Sequence, residues 1–273
     1  MILRNTILII SSLLYLQNGF AQTTPKTTPK TTVKTQSGTT TIKSGNNKIT
    51  VQPGTSNPAA KKFSFTGSYT MKFTSKDKKG KTSTGEIKSA FDEYQMATIP
   101  TFSDDKEMNL RSIFDLEENT MTMLFVDVKK NKKNGMMMKM PNVTVSGNTA
   151  TTTVTSTIQK TAETKIIDGY KCTKWIISYS DGAKCESWVT KDITLNSAES
   201  VSYFTTGMKG KKSPINTECA NINGCAIESY YTSSDGTTVF MKTTDIKKGK
   251  PDASFFTTSG YEITDVTGIQ FFK

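Results

Sequence analysis

Residues 63–73 alternate in character: Phe63, Phe65, Tyr69, Met71 and Phe73 share one parity, and Ser64, Thr66, Ser68, Thr70 and Lys72 share the other. A period of two marks a half-buried antiparallel strand, whose side chains point in turn to opposite faces. It commits the chain to burying one face of a sheet and wetting the other. After a turn at 76–80 a second strand runs through Ile87. Short runs of the same kind follow at 94–99, 111–116, 120–126, 143–145, 152–158, 170–179, 185–190, 227–231 and 237–243. Asp181-Gly182, Asn134-Gly135 and Asp235-Gly236 stand between them as turn signals. Threonine is abundant throughout, and β-branched residues suit a pleated surface. Only one stretch is predicted helical. Asn196 or Ser197 caps a stripe of Ala198, Val201 and Phe204 that ends by Gly207, and a loop follows at 209–213. The predicted fold class is mainly β: one large curved antiparallel sheet with one or two short helices packed against it.

The N-terminal part is different material. Residues 1–21 read as a secretory signal, with Arg4 ahead of an apolar run at 7–16 and Gly19-Phe20-Ala21 placing small residues at −3 and −1. A membrane anchor needs about 20 apolar residues, and this run is shorter. The first cysteine is Cys172, far from the cleavage site, which disfavours a lipid-modified N-terminus. Residues 22–62 open with a four-residue register, Thr23-Thr24-Pro25-Lys26 and Thr27-Thr28-Pro29-Lys30, and then loosen into Thr, Lys, Gly, Ser and Asn. So little apolar surface predicts a disordered linker. Residues 63–273 form a single β-rich domain. The expected location is outside the cytoplasm, in the periplasm or else secreted, with no membrane span after signal removal.

Charge and composition narrow the chemistry. Of the formal net charge of +11, Arg4 carries one and the linker's seven lysines carry seven, which leaves +3 for residues 63–273. A nucleic-acid partner is therefore not expected, since the positive charge lies in the linker and not on a folded face. The linker lysines are either a tether to an anionic envelope surface or simply solubilising. The chain has no histidine. That removes Ser-His-Asp and Cys-His nucleophile systems and the usual zinc sites. The carboxylate pairs Asp104-Asp105 and Glu117-Glu118 sit in turn-like contexts, where adjacent residues do not converge on a cleft.

Several segments resemble a known family. Residues 162–175 (AETKIIDGYKCTKW) and 186–192 (ESWVTKD) are similar to the hallmark stretch of domain of unknown function 4412, found in exported bacterial proteins. Ile113-Phe114-Asp115-Leu116 with Met121-Thr122-Met123-Leu124 is similar to its preceding hairpin. Residues 251–256 with Gly260-Tyr261 are similar to its closing strand. The resemblance spans about 63–264. It implies a fold like the lipoprotein carriers LolA and LolB, an unclosed β half-barrel lidded by helices, without implying their activity.

Candidate ligand-binding residues are Arg111 and the methionines Met121, Met123, Met136, Met138 and Met140. Flexible, polarisable methionine suits a promiscuous apolar groove, or it is ordinary core and rim packing. Soft thioethers also select Cu(I). A contiguous run, however, alternates its faces in a strand, and no His or Cys lies nearby, so no metal is assigned and no cofactor is expected. Arg111 is the only arginine after the signal. It either latches a lid or a ligand head group by directed hydrogen bonds, or it pairs with Asp115 or Glu107. Of the four cysteines, Cys219 and Cys225 enclose five residues including Gly224 and are the expected disulfide. A two-residue turn at Asp181-Gly182 would set Cys172 opposite Lys191, about 20 Å along the ladder from Cys185 and too far to bridge. The expected function is a non-enzymatic exported protein that binds a lipid or other hydrophobic ligand, the alternative being a structural or interaction module of the envelope with a filled core.

Overall fold

The computed structural model describes residues 31–36, 39–44, 47–52, 62–103, 108–127, 132–140, 142–146, 156–195, 222 and 224–266. The expected signal at 1–21, the helix at 198–204 and the loop at 209–213 lie outside these residues. Sixteen strands follow in order: β1 (Thr31–Gln36), β2 (Thr39–Ser44), β3 (Asn47–Gln52), β4 (Gly67–Lys76), β5 (Thr82–Phe91), β6 (Gln95–Phe102), β7 (Met108–Asp115), β8 (Thr120–Asp127), β9 (Lys132–Lys139), β10 (Asn142–Ser146), β11 (Ser156–Ile167), β12 (Tyr170–Tyr179), β13 (Lys184–Thr190), β14 (Cys225–Thr232), β15 (Thr238–Lys248) and β16 (Glu262–Asp265). A single 3-10 turn, Ala253–Phe255, capped by Asp252, is the one helical element among the described residues.

Twelve strands form one sheet in the order β11-β12-β13-β14-β15-β4-β5-β6-β7-β8-β9-β16. All its pairings are antiparallel except β16 on β9. β11 and β16 are the edges, so the sheet is not closed into a barrel. The C-terminal β15 pairs with the first strand of this sheet, β4, along the length of β4. Segment 22–62, a linker by composition, holds β1 to β3, which form a separate four-stranded sheet with β10. Its register matches Val33 with Ile42, Ile42 with Ile49 and Ile49 with Val145.

Four local expectations are corrected. Strand β4 begins at Gly67, not at 63. A Cβ at Gly67 would lie 2.2 Å from the Lys247 carbonyl oxygen, and its φ of 151° favours glycine. Phe63 and Phe65 precede the strand and pack edge-on against Phe91. Asn134-Gly135 is not a turn; it lies inside β9. Gly135 is there because Leu124 and Ile263 close over it, with a built Cβ only 2.8 Å from Leu124 Cδ2. The Asp181-Gly182 hairpin has three loop residues, not two. Tyr179 N donates to Ala183 O and Gly182 N to Tyr179 O, with Gly182 at φ 90°, the type I turn plus glycine bulge. That slips the register by one, so Cys172 faces Thr190 and Cys185 faces Ile177. Five residues, about 17 Å, still separate the two cysteines along the ladder. Fourth, the closing segment is no simple strand: the 3-10 turn occupies 253–255 and the strand comes later, at β16.

The largest core cluster gathers Phe63, Phe65, Phe91, Met96, Phe114, Leu116, Ile193 and Leu195 with Cys172, Cys225 and Ile227. Segments 62–66 and 193–195 cover this end of the sheet, tied by Phe63 N to Glu93 O and Ser64 Oγ to Thr194 O. A second cluster surrounds Ile177, Cys185, Val189 and Tyr231.

Candidate ligand-binding face

Register turns the alternation of each strand into rows that cross the sheet. On one face the first row runs Phe91–Met96–Phe114–Met121–Met138 and the second Tyr69–Ser89–Thr98–Ser112–Met123–Met136. A third runs Thr243–Met71–Ile87–Pro100. A fourth runs Trp175–Ser187–Ser229–Met241–Phe73–Gly85–Phe102. The first row begins in the filled core: Phe91, Met96 and Phe114 are 2%, 0% and 3% exposed. The third and fourth rows differ. Met71, Phe73, Ile87, Pro100, Phe102, Trp175 and Met241 are all half-buried. Phe73 lies over Gly85, where a Cβ would meet its ring at 2.5 Å, and meets Phe102 edge-on at 5.9 Å.

The polar groups on this face are mostly hydroxyls. Ser187 and Ser229 hydroxyls hydrogen-bond at 2.9 Å, and Cys185 Sγ lies 3.4 Å from Ser187 Oγ. Tyr69, stacked on Phe91, has its phenol pushed up by burial. An apolar, half-open strip with a small hydroxyl patch can accept a long hydrocarbon and a weakly polar group. It offers nothing to hold a charge.

Across β12–β15, β4 and β5 the opposite face is polar. The row Lys174–Trp188–Glu228–Lys242–Lys72–Glu86 crosses five pairings, with ion pairs Lys165–Glu228 at 2.8 Å, Lys174–Glu186 at 3.0 Å and Lys242–Asp168 at 3.2 Å. Lys184 and Lys174 hold the Glu186 carboxyl below the usual range. Lys165 Nζ also sits 4.4 Å from the Trp188 ring centroid.

Arg111 lies on the same face as these ion pairs, at its β6–β9 end, in the row Arg111–Leu124–Gly135–Ile263. The structure therefore separates it from Met121, Met123, Met136 and Met138, which share the apolar face. Its guanidinium donates through Nη1 to Ser254 O and through Nη2 to Thr257 O at 2.5 Å, with the Tyr261 ring centroid 5.6 Å from Cζ. Nε is buried without a partner. Beneath this contact Phe255, Phe256 and Tyr261 pack on Ala97, Ile113 and Leu124. Arg111 thus fastens a C-terminal strap, residues 251–266, across β6 to β9. Asp115 does not take it, accepting instead from Gln95 Nε2 and Glu118 N; Glu107 lies outside the described residues. Met140 stands just past β9, exchanging backbone and side-chain hydrogen bonds with Asn119.

Cys172 and Cys225 sit where burial disfavours the thiolate. Burial, with Cys172 nearby, pushes Cys225 up to about 12, and burial also raises Cys172, the reverse of what a nucleophilic thiolate requires. Cys225 carries a free thiol; its expected disulfide partner, Cys219, lies outside the described residues. Among the described residues no three His, Cys, Asp or Glu side chains come together as a metal site. No helix there is long and apolar enough to cross a membrane. Trp175, Met71, Ile87 and Met241 escaped the sequence reading as site residues, although the parity of Met71 with Phe73 was a usable signal.

Residues 65–261 match the family described as domain of unknown function DUF4412. The chain belongs to that family. No curated protein matches it. Among solved structures, one of PNGF-II is similar at 16% identity and a TM-score of 0.33, covering 73% of this chain, and this chain spans 31% of that one. An uncharacterized conserved protein from Thermus thermophilus is similar at 5% identity and a TM-score of 0.36, covering 73% of this chain and 91% of that chain.

Proposed function

We propose that this DUF4412 protein is an exported, non-enzymatic binding protein whose apolar sheet face takes a lipid or another long hydrophobic molecule, in the manner of an unclosed half-barrel like LolA and LolB. One observation carries the reading. Within a single face, the Phe91, Met96 and Phe114 stretch of the first row is almost completely buried, while the rows at Met71 and Phe73 leave seven large apolar side chains only half-buried. Contiguous apolar surface left in contact with water marks a binding site more often than an ornament. The signal-like residues 1–21 support export to the periplasm or beyond, and the lysine-rich segment 22–62 supports contact with an anionic envelope surface.

The filled end of the face favours the rival reading, an interaction module whose sheet is covered by its own chain and holds nothing. Native mass spectrometry of the mature protein purified from its own compartment separates the two. The binding reading expects an adduct of lipid mass that is lost on denaturation, and rebinding of a fluorescent fatty acid after delipidation. A bare mass together with no rebinding would overturn it and leave the interaction module.

A further inference from the structure

Four methionines that the sequence scatters over two runs are brought together by register. Met121 stands directly opposite Met138, and Met123 directly opposite Met136, on adjacent strands and on the same face. Met137, between two of them, points to the other side. The objection that a contiguous run cannot converge applies to Met136-Met137-Met138 alone. It fails once β8 supplies two more thioethers.

The dimensions suit a single ion. Directly opposite Cβ atoms lie about 5 Å apart and alternate residues of one strand about 7 Å apart, so the centre of the quartet is about 4 Å from each Cβ. That is within the combined reach of two side-chain bonds and a metal–sulfur bond of about 2.3 Å. Methionine's three rotatable bonds allow the sulfurs to turn inward. Met123 is 6% exposed, whereas Met121, Met136 and Met138 are half-buried, which leaves an approach from solvent. Phe114 and Ser112 continue these two rows on β7. The quartet is thus neutral, apolar and rich in sulfur.

We propose that Met121, Met123, Met136 and Met138 form a binding site for a soft monovalent cation, Cu(I) or its heavier congener Ag(I). Thioethers select soft ions over Mg(II), Ca(II) or Zn(II). A single positive charge is also the least costly to move into an apolar setting without a carboxylate partner. Binding is coordination only and transfers no electron. The site does not rest on the lipid reading, since its ligands lie at the β8–β9 end and the open strip centres on Met71, Phe73 and Met241.

The test uses the folded full chain, with methionine methyls labelled with carbon-13 and titrated with Ag(I) ions. Saturable shifts at one equivalent, confined to the methyls of Met121, Met123, Met136 and Met138, are the expected result. Met71, Met96 and Met241 serve as internal controls. Competition against a chromophoric Cu(I) chelator should show Met123→Leu/Met136→Leu weakened at least about 100-fold, because losses outside the ligand shell alone cost about 10–100-fold. Met137→Leu should bind as the parent does. Shifts spread over all methionines, no saturation, or a double variant with parental affinity would overturn the proposal. The wild-type titration keeps it falsifiable if the double variant fails to fold. Loss of Ag(I) binding with fatty-acid binding intact would leave the lipid reading standing by itself.

Discussion

Two stretches of one sheet face follow the same alternation and end differently. Around Phe91 the row is sealed: Phe63 and Phe65 meet its ring at 5.4 and 5.9 Å, and Tyr69 stacks on it at 5.8 Å. Around Phe73 the row stays half-buried, with Phe102 meeting the Phe73 ring edge-on at 5.9 Å. The strands are equivalent in pattern, so the difference lies in what crosses over them. Segments 62–66 and 193–195 cap one end and supply the side chains that complete a core. Apolar periodicity therefore specifies which face is buried. It does not specify how completely.

The largest expected effect tests the sealed end. Phe91→Ala should cost about 3–5 kcal/mol in urea unfolding, the usual range for a buried aromatic whose neighbours cannot collapse into the gap. A loss below about 1 kcal/mol would mean the end is not the structural core.

Cys225 extends the same contrast to pH. Its folded thiol is held up to about 12, whereas an unfolded thiol titrates near 8.5. The unfolded chain then binds fewer protons above that value, so this stabilisation is complete below about pH 8.5 and is lost as pH rises toward 12. Cys225→Ala should flatten a decline of a few kcal/mol in stability over that interval, read by chemical denaturation at successive pH values. An unchanged slope would show the thiol to be solvated.

The strap is next. Arg111→Lys keeps the charge but loses the fork that reaches two carbonyls. It should cost about 1–3 kcal/mol and raise hydrogen exchange over 253–265 while β12–β14 stay protected. Uniform loosening would mean that Arg111 does not act locally.

Phe73→Ala sharpens the comparison from the open side. It should cost only about 1–2 kcal/mol, since a half-buried ring loses less transfer energy, yet it should weaken fatty-acid binding more than Phe91→Leu does. Equal effects on binding would place the ligand elsewhere. The smallest effect belongs to the polar face. Glu186 has its folded carboxyl lowered by Lys184 and Lys174, so its contribution exists above about pH 4.3 and disappears as pH falls through the folded value. Glu186 is exposed enough for solvent to screen it, and Glu186→Gln should change stability by under about 1 kcal/mol.

Much of the fold was legible. The turn at Asp235-Gly236 and the span of β12 follow directly from period-two runs and turn residues, and the absence of histidine narrowed the chemistry from composition alone. The role of Gly135 is not legible, because an Asn-Gly pair looks the same whether it bends the chain or lets two side chains close over a flat strand. The hairpin at Asp181-Gly182 is visible in the dipeptide but its register is not, since a glycine bulge adds a loop residue without altering the dipeptide. The candidate set mixed Arg111 with the methionines because each parity was visible but their strands' relative register was not.

The sequence by itself determined the parity of each strand, because successive residues of an extended backbone must face opposite ways. It also determined the low apolar content of 22–62. Only the tertiary structure decided that β15 returns to pair with β4, that Met121 and Met123 meet Met138 and Met136, and that Arg111 clamps the strap from the far side. Those outcomes depend on loops, bulges and covering segments distant in the chain, and a local period carries no information about which strand lies alongside.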